Sequence, residues 1–188
     1  MSYTYKRIFD EAQCKDIFEY LQQKDYEYHK PYLRFNKTVK VPRGQASYTL
    51  DETIHYNYGV SGGSPINEVM DEKLRDITKR VNEELGTHYN TILMNVYKNG
   101  EDCISPHQDK ETDWVEGTGF STVAFGCSRN FVLINKTSGE SHKILHEPGY
   151  AIELPYPMNR EWLHGVPRAG KAVGMRISLT FREIVTTT

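Results

Sequence analysis

The sequence predicts an α+β fold, a β-sandwich or jelly roll with N-terminal helices packed on one sheet. Three observations predict it. Two stretches before residue 90 carry apolar residues at helical spacing. From Thr91 onward the pattern changes to short strands. Turn dipeptides, Asn99-Gly100, Ser138-Gly139 and Pro148-Gly149, separate those strands. At 188 residues the chain suits one domain with a substantial core and is too short for two comfortable ones.

The elements follow in order. Asp10 is placed to cap a first helix that runs to about Lys24, with Ile17, Phe18 and Leu21 turned inward. KTVKVPRGQASYTL (residues 37–50) reads as strand, broken at Pro42. HYNYGVSGGSP (residues 55–65) reads as a strand running into a glycine-rich loop. The second helix is predicted from Ser64 at the N-cap and Pro65 at the first helical position to Gly86. Ile66, Val69, Met70, Leu74, Ile77, Val81 and Leu85 keep one face of it apolar. The strands of the second half are TILMNVYK (91–98), FSTVAFG (120–126), RNFVLINK (129–136), SHKILH (141–146), YAIEL (150–154) and GMRISLTFR (174–182). No repeat, low-complexity segment or linker interrupts them.

Composition narrows the class. A 38% hydrophobic content is that of an ordinary globular protein. No apolar run approaches the roughly 20 residues of a membrane helix. The opening MSYTYKRIFDEAQ lacks an apolar signal-peptide core. Cys14, Cys103 and Cys127 are scattered and odd in number, which suits reduced thiols rather than a disulfide or zinc framework. An intracellular protein, cytoplasmic or nuclear, with no membrane partner is the expectation. The net charge of −2 gives no global electrostatic case for nucleic acid. Residues 29–50, however, hold Lys30, Arg34, Lys37, Lys40 and Arg43 and no acid, with Tyr32, Phe35 and Tyr48 interleaved. Such a mixture suits phosphates and stacked bases; a solvated amphipathic strand pair would read the same way.

The chemistry starts at His107 and Asp109. Two residues apart on an extended segment, their side chains point the same way and can reach one metal. A lone pair of this kind is weak evidence and needs a third ligand from His142, His146 or His164. Two histidines and a carboxylate would form the facial triad of non-haem Fe(II) oxygenases, with open positions for O2 and a co-substrate acid. RISLTFR (176–182) favours His164. Arg176, Ser178, Thr180 and Arg182 share one face of that strand. Alone, the two arginines would read as charges on a solvated edge strand. Six residues of strand span about 20 Å, so arginines leaning together leave a gap the length of a small dicarboxylate such as 2-oxoglutarate. His164 lies twelve residues before Arg176, one turn and most of a strand away, whereas His142 and His146 read as solvent-exposed or strand-edge positions.

In these residues the chain resembles the AlkB family of Fe(II)/2-oxoglutarate dioxygenases. The resemblance runs from about Val41 to Ile184. It includes PRGQASY (42–48), YNYGVSG (56–62), NVYKNGEDCISPHQDKE (95–111), FGCSRNFVL (125–133), HGVP (164–167) and RISLTFR. It implies a single domain: a double-stranded β-helix (jelly roll) core at 91–184, preceded by helices and a nucleotide-recognition lid at 1–90. It implies Fe(II) held by His107, Asp109 and His164. Arg176 would meet the distal carboxylate of 2-oxoglutarate with help from the Tyr97 hydroxyl. Arg182 and Asn95 would hold the end near the metal. Relatives usually carry Asn where this chain has Ser178, a shorter side chain that could weaken co-substrate binding or admit water.

The resemblance also implies a nucleic-acid partner. Family members turn an alkylated base out of its strand, oxidise its N-methyl group and release formaldehyde. The base would lie between His107 and Tyr58. Glu111 would read its exocyclic edge, and Arg43 and Tyr48 would belong to the lid. Tyr58 as core packing and Glu111 as a loop-end surface charge are the plain alternatives. The same chemistry on a free nucleoside, another small molecule or a protein side chain is a second reading, and a binding module without turnover a third. The intact ligand and arginine set argues against the third. A monomer is expected, although nothing in the sequence specifies it. With six residues after Arg182, no further C-terminal domain is expected.

Overall fold

The computed structural model describes residues 2–34, 37–55, 67–170 and 173–186. Phe35, Tyr58, Ser64, Pro65 and Ile66, and the expected glycine-rich loop, lie outside the described residues. A strand the sequence reading missed, β1 (Thr4–Arg7), leads into α1 (Glu11–Leu21). Asp10 and Gln13 form a capping box there. The Asp10 carboxylate accepts from the Gln13 N–H at 2.8 Å, and Gln13 Oε1 accepts from the Asp10 N–H at 3.0 Å. The helix stops at Leu21, not Lys24, because Gln23 and Lys24 donate to carbonyls three residues back and tighten into a turn. Ile17 and Leu21 are buried, and Phe18 packs on the same core.

Three short strands, β2 (Glu27–Tyr28), β3 (Pro31–Arg34) and β4 (Lys37–Lys40), precede β5 (Gly44–Thr49). Pro42 separates β4 from β5, as read from the sequence. β6 (Asn67–Val69) then pairs with β5 in parallel, and α2 (Glu72–Leu85) follows. The second helix thus begins eight residues after the expected Ser64 cap. Asp71 is the cap, accepting from the Leu74 N–H at 3.0 Å. Val69 was expected on the helix but belongs to the β5 ladder and is 40% exposed. The Met70 N–H is likewise committed to Thr49 O. Helical spacing cannot distinguish a short strand laid just upstream from one more helical turn. Gly86 closes the helix at φ 69°, a left-handed conformation that favours glycine.

The second half is β7 (Thr91–Tyr97), β8 (Ile104–His107), β9 (Phe120–Gly126), β10 (Arg129–Asn135), β11 (Ser141–His146), β12 (Tyr150–Leu154), α3 (Tyr156–Glu161), β13 (Trp162–Val166) and β14 (Arg176–Arg182). The major sheet runs β1-β12-β9-β14-β7-β5-β2, with β6 beside β5; the minor sheet runs β11-β10-β13-β8. All pairs are antiparallel except β5–β6. This is the jelly-roll arrangement the sequence predicts.

The period-2 alternation of β7 and β14 separates two cores. Ile92, Met94, Val96, Ile177, Leu179 and Phe181 face the helices. Leu93, Tyr97 and Phe120 face the minor sheet, where they meet Phe131, Leu133 and Val166. Trp114 and Trp162 also pack in this second core. β14 is central, paired on both sides by β7 and β9. RISLTFR is therefore buried on both faces, and its arginines are not edge charges.

Candidate active site

His107 ends β8 and His164 sits in the middle of β13, directly opposite it in the ladder. The two strands come unusually close there. A Cβ on Gly165 would lie 2.8 Å from Ile104 O and 2.9 Å from Pro106 N, so only glycine lets β8 and β13 meet at the irregular step after His164. The imidazoles lie 4.3 Å apart between centroids, and His164 is wedged between Phe120 and Phe131. Asp109 follows His107 by two residues, as the extended spacing predicted. Its Oδ1 lies 3.3 Å from His107 Nε2 and 3.7 Å from His164 Nε2.

The donor atoms of these three residues all fall within 4.8 Å of one another, so a single ion can meet all three. The chemistry of the set fits Fe(II): two imidazole nitrogens and one carboxylate oxygen. His107 Nδ1 lies 3.0 Å from Ser105 O, so it carries the proton and leaves Nε2 with its lone pair. Burial pushes the His164 imidazole down to about 3, against the opposing pull of Asp109, so it can offer a lone pair to a metal. Burial alone would push the Asp109 carboxyl up. The Arg182 guanidinium beside it outweighs this and holds it well below the usual carboxylate range. Arg182 Nη2 donates to Asp109 Oδ2 at 2.5 Å and Nε at 3.2 Å. That leaves Oδ1 turned toward the histidines.

A second support comes from α3. Asn159 is fully buried and grips the Asp109 main chain in both directions. Its Oδ1 accepts from the Asp109 N–H at 3.1 Å, and its Nδ2 donates to Asp109 O at 3.1 Å. Nδ2 also donates to Glu111 Oε1 at 2.7 Å, and Arg160 Nε donates to Glu111 Oε2 at 2.9 Å. Glu111 is therefore tied to α3 and not a free loop-end charge. Asn159 has no motif to announce it; only the fold brings it to Asp109.

From the His107, Asp109 and His164 cluster a cavity extends between the sheets. Asn95, Tyr97, Arg176, Ser178 and Arg182 all line it. Register explains their meeting: Tyr97 opposes Arg176 and Asn95 opposes Ser178, so Asn95 stands between the two arginines. The Arg176 guanidinium lies over the Tyr97 ring at 5.1 Å. Its Nε and Nη1 meet no hydrogen-bond partner among the described residues. A buried guanidinium with unpaired donors suits an incoming anion. Asn95 Oδ1 accepts from Arg43 Nε at 2.8 Å and Gln45 Nε2 at 3.2 Å, which leaves the Asn95 Nδ2 as a donor.

Three expectations need correction. Arg43 is 6% exposed and spent on Asn95, so it orders the cavity wall instead of reaching outward as a lid residue. Tyr48 is 1% exposed on the helix-facing core. Gln45 shares the face of Asn95, which it opposes and bonds, so the strand alternation turns Tyr48, three positions on, to the other side. His146 does end the edge strand β11, but it is 0% exposed beside Arg176, not open to solvent. The signal was present in SHKILH: Ile144 and His146 share the inward face, while Leu145 points out. Gln45 and Arg129 were also missed. Arg129 is buried and donates to the carbonyls of Asn99, Gly100, Asp102 and Pro167, binding the β7–β8 turn to the segment after β13.

Comparison with known proteins agrees with this geometry. Residues 2–182 match the 2OG-Fe(II) oxygenase superfamily. The chain is 32% identical to the DNA oxidative demethylase ALKBH2 of Bos taurus, over 98% of this chain and 69% of the relative. It is 32% identical to the protein of the same name from Homo sapiens, over 98% and 74%. It is 26% identical to the human alpha-ketoglutarate-dependent dioxygenase alkB homolog 3, over 81% and 55%. Among solved structures, OsALKBH1 superposes with a TM-score of 0.65 at 16% identity, covering 96% of this chain and 97% of that one. With its fold, its ligand set and these relatives in agreement, the chain belongs to the AlkB family of 2OG-Fe(II) oxygenases, dioxygenases that use Fe(II), O2 and 2-oxoglutarate.

Proposed function

We propose that this dioxygenase removes methyl groups from N-alkylated bases, such as 1-methyladenine and 3-methylcytosine, in DNA or RNA. The observation that carries the reading is the cavity itself. It joins the His107, Asp109 and His164 set to two buried arginines, in a chain 32% identical to DNA oxidative demethylases over nearly its whole length. Iron held by these three residues would supply the oxidising power when bound. The protein's own residues aim and exclude. Arg182 keeps Asp109 anionic with Oδ1 toward the histidines. Arg176, stacked on Tyr97, receives the distal carboxylate of 2-oxoglutarate. Arg182 and Asn95 serve its other end, and Ser178 lines the path between.

In the overall change, one oxygen atom of O2 ends in succinate as CO2 leaves. The other is inserted into a C–H bond of the methyl group, and the resulting N-hydroxymethyl group breaks its C–N bond to release formaldehyde and the unmodified base. His107 is the most exposed of the ligands and marks the substrate side. Glu111, held by Asn159 and Arg160, would meet the exocyclic edge of the base. The β3–β4 hairpin carries Lys37 and Lys40 on its exposed surface, where they can meet phosphates.

The test uses short oligonucleotides bearing 1-methyladenine or 3-methylcytosine, as DNA and RNA, single- and double-stranded. Protein loaded anaerobically with Fe(II) receives O2 and 2-oxoglutarate, and mass spectrometry follows the methyl group, with Asp109→Ala as control. Methyl loss in the wild type and none in Asp109→Ala is the expected result. Succinate formation with every oligonucleotide unchanged would overturn the substrate and leave the co-substrate chemistry standing.

A further inference from the structure

His146 is buried, lies outside the metal ligand set and touches the most exacting cation of the cavity. Its Nε2 lies 2.9 Å from Tyr150 O, and its Nδ1 lies 3.1 Å from Arg176 Nη2. These partners fix the tautomer. A carbonyl only accepts, so Nε2 carries the proton. A guanidinium only donates, so Nδ1 presents its lone pair. Burial, with Arg176 second, pushes the imidazole down to about 3, so it is neutral at physiological pH. β10 holds it in place: His146 opposes Arg129 in the ladder and meets the Phe131 ring edge-on at 6.1 Å.

The neutrality has a consequence for Arg176. A carboxylate at this position would cancel the arginine's charge and compete with an incoming anion. An apolar residue would leave Nη2 as unpaired as Nε and Nη1 already are. A neutral acceptor orients the guanidinium and leaves its charge whole. We infer that His146 is a positioning residue for the co-substrate. It fixes Arg176 through a single neutral hydrogen bond, so that the remaining donors and the full positive charge face the distal carboxylate of 2-oxoglutarate. The inference rests on the assignment of Arg176 to that carboxylate.

Two variants separate this role from simple packing. His146→Asn places an oxygen near the position of Nδ1; it keeps the acceptor for Arg176 and loses the donor to Tyr150. His146→Gln reaches the position of Nε2; it keeps the donor to Tyr150 and loses the acceptor. Each forfeits one buried hydrogen bond, so a merely structural residue would give equal effects. Calorimetry measures 2-oxoglutarate affinity on the protein loaded with Mn(II), which binds oxygen and nitrogen ligands without turnover. Circular dichroism melts confine the comparison to folded protein. His146→Gln is expected to weaken 2-oxoglutarate binding about tenfold, the worth of a hydrogen bond to a charged group. His146→Asn is expected to stay near the wild type. Equal weakening in both, or weakening in neither, overturns the inference. Arg176→Met is measured alongside. Unchanged affinity there would sink the assignment of Arg176 as well; lost affinity there with His146→Gln unaffected would sink the role of His146 alone.

Discussion

Asn159→Ala tests how far the metal site depends on a residue that never touches the metal. The amide makes three hydrogen bonds: two to the Asp109 main chain and one to the Glu111 carboxylate. The main-chain bonds are worth about 1 kcal/mol each and the bond to a carboxylate about 2 kcal/mol. Alanine removes all three in a fully buried place, so the apoprotein should lose about 4 kcal/mol of stability, read as a lower urea midpoint. Asp109 would then be oriented by Arg182 alone, and Mn(II) affinity should fall about 10–100-fold, the usual effect of removing an outer support. Asn159→Asp is the sharper variant. It keeps the shape but sets a second carboxylate against the Asp109 carbonyl and Glu111, and should be worse than alanine on both readouts. If Asn159→Ala melted in urea like the wild type and bound Mn(II) as tightly, the claim that α3 orients the ligand would be wrong.

Three further outcomes are expected. Gly165→Ala should separate β8 from β13, since the new Cβ meets backbone atoms at 2.8 and 2.9 Å; about 2 kcal/mol of stability and much of the metal affinity should go together. Asp71→Asn should destabilise α2 by about 1 kcal/mol, a value reduced for the exposure of the carboxylate, because Asp71 also receives Tyr20 Oη and Lys24 Nζ. Although partial burial pushes Asp71 up, these donors hold it at about 2. Its contribution is thus present above the unfolded pKa near 4 and lost as pH falls toward 2. The folded pKa of both His146 and His164 is depressed to about 3. Unfolding therefore takes up two protons between about pH 6 and 4, and apoprotein stability falls as pH is lowered through that window. His146→Asn should remove one proton from this dependence, about 1.4 kcal/mol per pH unit, in urea melts across pH.

The parts of the molecule that were legible in the sequence share a cause. Alternation placed β7, β9, β10 and β14, because those strands are long enough for period 2 to repeat. The extended HxD spacing and the two arginines of RISLTFR pointed to residues that the fold brings to one cavity, because each is a local pattern. β8 and β13 escaped notice: their ladder is short and irregular, with ligand histidines and a glycine where strands carry apolar side chains. α3, six residues behind a proline, is too short for a helical period. Side chains whose role depends on a partner far along the chain were equally hidden. Asn159 matters through Asp109, fifty residues away, and Arg43 through Asn95. Arg43 and Tyr48 stand in PRGQASY, yet only the register of β5 against β7 shows which face each one takes.

The central place of β14 also orders events during synthesis. β7 and β9 are made first, yet each pairs with β14 along its whole length. Until residues 176–182 have left the ribosome, both strands present open edges, and the nascent chain lacks Arg176 and Arg182. Sheet closure and the arrival of both buried arginines are therefore one event. A ribosome stalled before β14 would hold a chain with two sticky edges and no site.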